Sequence, residues 1–410
     1  MEKHKIITTG FVSADAGSVA SANAVLLRGL LDRGHEVTFY TKPSFVDPRP
    51  ALNGQADTGR FRLVDCTNQW GDGLRRRMAP SGKRIWGHAW GQLDAKTYNQ
   101  GLVRAMRHES EAGLDLWLGD WARGRGRRSV VSYAQGPPGT DARSVFTRRK
   151  LIQRLSGHAT WLKLAAAARW RLGPGLPRFR HSDHVIVGSE WSRRCMTDNY
   201  RAAEDKTHAL PYPIDLNAFQ TSVESRPPTD PLRLFWLGRF APRKRLDLFL
   251  DGLEIAIREG CDAEAWVVGS SAFAPGFDRL LEGFPYPERL RHWPRVPREE
   301  VPKMLADVDV MAQPSDEENF GSSVAEALAC GVPAIVGATN GTGDYICENS
   351  IRLVDDQPET FARAVVDLAD RKRRGELADR GVCRAAAEKW FAPDRVLDRF
   401  IEILELAKNR

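Results

Sequence analysis

The chain has 410 residues, 42% of them apolar, a formal net charge of +7 and six cysteines; that is long for one domain and comfortable for two, each with its own core. No segment reaches about 18 uninterrupted apolar residues, and the apolar run near the N-terminus is too short for a signal-peptide core, so neither a membrane span nor a secretory signal is expected. Cys66, Cys195, Cys261, Cys330, Cys347 and Cys383 are scattered without a C-x-x-C pair, which argues against a zinc ribbon or a disulfide framework and for a reducing, cytoplasmic compartment.

In chain order, short apolar and β-branched runs alternate with longer stretches of helical period, the pattern of strand-helix units around parallel sheets. The first series places strands at KIITTGF, EVTFYT, RLVDC, LDLWLG, SVVSYA and HVIVGS, with a helix over SANAVLLRGLLDRG that Gly34 is placed to stop. Residues 211–231, PYPIDLNAFQTSVESRPPTDP, are rich in Pro, Ser and Thr and read as a linker. A second series follows: strand LRLFWLG, helix DLFLDGLEIAIREG, strand EAWVVGS, helix REEVPKMLADV, strand DVMAQP, helix SSVAEALAC and strand PAIVGA. The expected architecture is α/β: two Rossmann-like, doubly wound domains over residues 1–210 and 232–390, facing each other across a cleft. A terminal amphipathic helix over 391–410 is expected to pack back on the first domain. Ligands of such sheets bind beyond the C-terminal ends of the strands, so chemistry is sought in the loops after them.

Charge divides unevenly. Residues 1–200 hold 32 Lys and Arg against 17 Asp and Glu, and the remainder holds 28 against 36. The segment from Thr147 to His181 is densely basic, has no acidic residue, and interleaves Leu, Ile and three aromatics with the charges. Two readings stand: a solvated arginine-rich surface, or a face for anionic headgroups or a phosphorylated or lipid-linked acceptor. No nucleic-acid-binding module is recognisable.

Two loops carry the chemistry. After LFWLG come Gly238, Arg239, Pro242 and Lys244, then a helix; a guanidinium fork and an ammonium point charge together suit a diphosphate. After DVMAQPS comes EENFGSSVAEALACG, with Glu318 in the loop and Glu326 at the start of the next helix. Ser323 and Glu326 fit an S-x-x-E capping box. Alternatively, both acids accept hydroxyls of a ligand whose anionic group meets the N–H groups of Phe320, Gly321 and Ser322.

Together these motifs, Gly238 to Lys244 and Pro314 to Pro333 with Glu318 and Glu326 as an E-x7-E pair, resemble the retaining GT-B glycosyltransferases of the family-four type. HSDHVIVGSEWSRR, PYPIDLNAF and AWVVGS extend the resemblance over most of the chain. The resemblance implies transfer of a sugar from a UDP- or GDP-type nucleotide-diphosphate donor to an acceptor hydroxyl, without metal or other cofactor. It assigns Glu326 to the donor ribose, and Glu318 with the backbone at Asn319, Phe320, Gly321 and Ser322 to the transferred sugar. Gly238, Arg239 and Lys244 fall to the diphosphate, and Gly17 to a close approach of the first domain's backbone. The family's histidine beside the sugar has no counterpart: Gln135-Gly136 stands there, with Asp120 within reach of the same cleft. A phosphorylase or epimerase on the same fold, or a basic nucleic-acid-binding protein, are the alternatives. Asp307-Val308-Asp309 spells D-x-D, but where a helix gives way to a buried strand its use is structural, and no histidine spacing suggests a metal site.

Overall fold

The protein is described here from a computed structural model. The structure describes residues 3–13, 18–41, 47–66, 105–106, 113–118, 128–134, 136–173, 179, 182–200, 202–220, 225–271 and 275–408.

Among these, thirteen strands form two wholly parallel sheets. The first contains β1 (Lys5–Gly10), β2 (Glu36–Thr41), β3 (Phe61–Asp65), β4 (Leu114–Leu118), β5 (Ser129–Tyr133), β6 (His184–Val187) and β7 (Thr207–Ala209), in the order 3-2-1-4-5-6-7. The second contains β8 (Leu232–Leu237), β9 (Ala263–Val268), β10 (Leu290–Trp293), β11 (Val310–Gln313), β12 (Ala334–Val336) and β13 (Ile351–Arg352), in the order 10-9-8-11-12-13. Strands buried on both faces need continuous apolar runs, and LDLWL in β4 is buried at every position. The strand order reverses beside β1 in the first sheet and beside β8 in the second, where β1 pairs with β4 and β8 pairs with β11. The loops after those four strands open onto the crevices in which doubly wound sheets take ligands.

Parallel neighbours require crossovers, and helices supply them. The helices of the described residues are α1 (Ser18–Asp32), α2 (Thr140–Thr147), α3 (Arg149–Ser156), α4 (His158–Leu172), α5 (Glu190–Tyr200), α6 (Leu246–Arg258), α7 (Arg279–Glu282), α8 (Val301–Ala306) and α9 (Ser322–Ala329), with α10 (Pro358–Arg373), α11 (Gly381–Phe391) and α12 (Pro393–Lys408) following the last strand. In α1, Leu26, Leu27, Leu30 and Leu31 are buried together. The helix ends at Gly34, whose φ of 85° favours glycine, with Gly34 N donating to Leu31 O and His35 N to Leu30 O. The terminal α12 buries Val396, Leu397, Phe400, Ile401, Ile403 and Leu404, and packs on α1, β4 and β5 of the first sheet. Leu397 lies where a Cβ on Gly29 would stand.

The helices α2 to α4 come between β5 and β6, within the first 210 residues. Their Val145, Ile152, Leu155 and Ala168 nevertheless share a core with Leu246, Phe249, Leu253 and Phe277 of the second sheet's layers. This insert therefore bridges the cleft. One correction to the cysteine reading follows from the fold. Cys347 and Cys383, 36 residues apart in sequence, are brought together with Cα atoms 5.1 Å apart and bonded. Cys66, Cys195, Cys261 and Cys330 stay free. Among the described residues no helix is long and apolar enough to cross a membrane.

Candidate functional site

The two motif loops leave β8 and β11, adjacent strands at the second sheet's switch point, so residues about 75 positions apart in sequence meet over one crevice. After β8, Pro242–Lys244 forms a 3-10 turn with proline at its first position, and Arg245 takes a left-handed φ of 54° before α6. After β11, Glu317 is also left-handed, at φ 48°. Gly321 follows at φ 84°, where an added Cβ would lie 2.4 Å from Thr342 Oγ1, so glycine is needed there on both counts.

Glu318 is buried between cations. Its Oε2 accepts from Arg243 Nη1 at 2.8 Å and from Lys244 Nζ. Burial works against its charge, but Arg243 and Lys244 prevail and hold the carboxyl at about 2. Burial pushes the Lys244 pKa down, with Glu318 opposing. Arg239 is half exposed beside them.

The second domain does not close this cluster by itself. Asp141, in the first turn of α2, accepts from Arg243 Nε, and its other oxygen lies 3.8 Å from Arg239 Nη2. Burial raises the Asp141 pKa, but Arg243 and Arg239 outweigh it and the net shift is downward. Two residues on, Arg143 pairs with Glu317 at 2.7 Å and donates to Pro138 O. Arg148 reaches Asp316 at 2.6 Å and Asp356 at 2.8 Å, and Arg245 shares both acids. Asp141, Arg143 and Arg243 were not singled out from the sequence, and Arg148 only as part of the basic segment from Thr147 to His181. Of the first three, Arg243 alone had a local signal, in the run Arg-Lys-Arg around Lys244.

Asn319 points its side chain at the first domain: Oδ1 accepts from Gly188 N at 3.0 Å and Nδ2 donates to Tyr212 OH at 2.9 Å. Phe320 is buried against Tyr212, Tyr345 and Phe391. What these residues can offer a ligand is backbone; among the described residues no acceptor takes the N–H groups of Phe320 and Gly321. Gly136 fits this closure, since a Cβ there would come 3.2 Å from Asn319 Cβ. Gly17, Asp120 and Gln135 lie outside the described residues.

Glu326 is set apart from Glu318. The helix begins two residues earlier than the capping box requires: Gly321 is the N-cap, without a side-chain cap bond, and Ser322 is the first helical residue. Glu326 thus sits in the second turn, and its Oε1 accepts from Arg298 Nη2 at 2.8 Å rather than from the helix start. That overturns the capping-box alternative. Burial raises the Glu326 pKa, with Arg298 opposing. The carboxylate lines a cavity of about 150 Å³ with Ser21 and Arg28 of α1, Asp215 and Phe219 of the linker, Arg298 and Ser322. Arg298 also lies over the Phe219 ring at 5.5 Å. So one acid faces the cationic loop and the other a separate chamber rimmed by both domains.

At the opposite ends of the strands, Asp309 Oδ2 accepts from Lys372 Nζ at 2.8 Å, from Arg233 N at 2.8 Å and from Arg226 Nη1, a structural knot as its position implied. Among the described residues no group of three or more His, Cys, Asp or Glu side chains is placed to hold a metal ion.

Residues 219–389 match the family described as Glycosyl transferases group 1. The chain is 26% identical to the D-inositol 3-phosphate glycosyltransferase of Xylanimonas cellulosilytica, over 97% of its own length and 94% of that protein. It is 28% identical to the GDP-mannose-dependent alpha-(1-6)-phosphatidylinositol dimannoside mannosyltransferase of Mycobacterium tuberculosis, over 42% of its own length and 46% of that protein. In fold it is similar to Anabaena HepE in complex with UDP-glucose, with a TM-score of 0.63 and 16% identity over 98% of this chain and 99% of that one. The sucrose-phosphate synthase of Thermosynechococcus elongatus matches with a TM-score of 0.66 and 16% identity over 98% and 99%.

Proposed function

We infer that the chain is a GT-B glycosyltransferase of the group 1 type using a nucleotide-sugar donor, and that it transfers the sugar with retention to an acceptor hydroxyl in bacterial polysaccharide, glycolipid or glycoconjugate synthesis. The observation that carries this reading is the meeting of Glu318 with Arg243 and Lys244 across adjacent strands, faced by Asp141 from the other domain. In this reading Arg239 and Lys244, with backbone from Gly238, take the donor diphosphate, whose oxygens would meet the same guanidinium of Arg239 that faces Asp141. Glu318 and the backbone of Asn319 to Ser322 take the transferred sugar. Glu326 accepts from the ribose hydroxyls in its own chamber, which separates nucleoside from sugar as the two acids are separated. Gly17 is assigned to the close approach of the first domain's backbone to the donor, and Asp120, Gln135 and Gly136 to the acceptor. As the glycosidic bond to the diphosphate breaks, its leaving oxygen takes the acceptor hydroxyl's proton on the same face of the sugar, so no protein base is required.

The relatives' names point to GDP-mannose as a donor and to inositol phosphates and phosphatidylinositol glycosides as products or acceptors, and the Anabaena structure holds UDP-glucose. A UDP- or GDP-sugar donor and a glycan, lipid-linked or phosphorylated acceptor fit these precedents, with the enzyme cytoplasmic or peripheral on the inner face of the membrane. Hydrolysis of a panel of nucleotide sugars in the absence of acceptor tests the donor class, and a chain that cleaves none of them contradicts the reading.

Two expectations belong to this site. Glu326→Gln should weaken nucleoside-diphosphate binding by about 1.5–3 kcal/mol, the scale for hydrogen bonds to charged groups. Titration calorimetry reads this directly; unchanged affinity would leave the carboxylate to Arg298 alone. The transfer should also proceed without a divalent ion, because Arg239, Lys244 and the start of α9 supply the positive charge. Activity abolished by EDTA and restored by Mg²⁺ or Mn²⁺ would contradict that.

A further inference from the structure

The insert α2 to α4 has two faces of different chemistry. One packs on the second sheet's domain and reaches the donor loops through Asp141, Arg143 and Arg148. The other is bare among the described residues. Phe146, Leu162 and Trp170 are three of the seven large apolar side chains exposed among those residues, Leu162 at 50% and Trp170 at 52%. On α4 the exposed residues Ala159, Leu162, Ala166 and Trp170 recur at intervals of three and four, so they form one line along the helix. Exposed Lys163 and Arg169 flank that line and Arg171 follows it. The preceding helix adds exposed Arg149, Lys150 and Arg154. The Arg149 guanidinium lies 4.4 Å over the Trp161 ring, whose N–H donates to Val145 O, next to Phe146. From Ala142 to Ser182 there is no acidic residue.

A face that is merely solvated has no use for Leu162 and Trp170 in line, and a soluble anion cannot cover a row about 17 Å long at 1.5 Å per residue. A row of apolar side chains between lysines and arginines suits a surface that is apolar below and anionic above.

We propose that this face of the insert lies on an anionic bilayer, with Leu162, Ala166 and Trp170 at headgroup depth and Arg149, Lys150, Arg154, Lys163, Arg169 and Arg171 over anionic headgroups. Because the same insert begins at Asp141 beside Arg239 and Arg243, bilayer contact holds the mouth of the cleft at the membrane. This extends the transfer reading by placing the acceptor in the bilayer, as a lipid-linked substrate.

The test is sedimentation of the full-length protein with vesicles of phosphatidylcholine alone or with phosphatidylglycerol added. The expected result is co-sedimentation with the anionic vesicles, falling as salt is raised, and little with phosphatidylcholine alone. Leu162→Ser combined with Trp170→Ser, and separately Lys163→Glu combined with Arg169→Glu, should each lower binding by roughly tenfold or more. All four positions are exposed, so both double variants should keep the parent's melting temperature and its donor hydrolysis. Absence of binding to anionic vesicles at low salt, equal binding to phosphatidylcholine, or undiminished binding by both variants overturns the proposal. Protein that binds anionic vesicles but hydrolyses no nucleotide sugar counts against the transfer reading instead, and leaves the bilayer face standing.

Discussion

Glu318→Gln is expected to cut turnover by on the order of 100-fold or more while leaving nucleoside-diphosphate affinity intact or tighter. From sequence alone the affinity should simply be unchanged, because Glu318 faces the sugar rather than the nucleoside. The structure shifts that expectation. Glu318 Oε2 holds both Arg243 and Lys244, and a neutral amide releases them to any phosphate that arrives. The carboxyl's pKa of about 2 means that it is charged throughout the neutral range, so it does not set the acid limb of a pH–rate profile near neutrality. The sign for stability follows: a folded pKa below the ordinary carboxylate value of about 4.3 contributes stability above that value and loses it as pH falls towards about 2. Removing one member of a buried ion pair can cost several kcal/mol, so unfolding must be measured beside turnover. A folded Glu318→Gln protein with parental turnover would remove Glu318 from the reaction.

Lys244→Ala should lose roughly 100-fold or more in the chemical step, because the charge that the ammonium answers grows as the diphosphate leaves. Glu318 keeps Arg243 as a partner in this variant, so its carboxylate stays paired and the fold is disturbed less than by the converse change. Single-turnover measurement with saturating donor separates the chemical step from binding. An unchanged rate constant there would leave Lys244 as a structural counter-ion for Glu318.

Much of this was legible in sequence because the physics is local. EVTFYT forms β2 over the predicted residues, and the loops after LRLFWL and DVMAQ lie where strand ends and turn residues placed them. β10 was missed: Leu290–Trp293 is a partly exposed edge strand whose LRHW lacks a buried run. The capping box failed because a left-handed glycine can cap the helix as well as the following serines, and the fold around Thr342 decides between them. Arg143 with Glu317 and Asp141 with Arg243 could not be read at all, since these pairs join residues 174 and 102 positions apart. Nor could Arg298, in an ordinary Pro-Arg-Glu-Glu turn, be matched to Glu326 without the packing of α8 against α9.

The backbone of Glu317 has a last implication. A non-glycine residue at φ 48° carries a strain of roughly 1–3 kcal/mol, and what holds it is Arg143 from the acceptor-side insert together with a bond from its N–H to Thr339 Oγ1 at 2.8 Å. The next residue is Glu318. The strained turn that leads into Glu318 is therefore held in part from the other domain, through Arg143, while Glu318 itself is tied to Thr339 and Gly341 by its backbone. Under the proposed reaction, an undocked enzyme could hold a donor without being shaped to cleave it. Water, present whenever the cleft is open, would meet an unassembled site, and cleavage of the activated sugar, by water or by acceptor, would be confined to the docked enzyme.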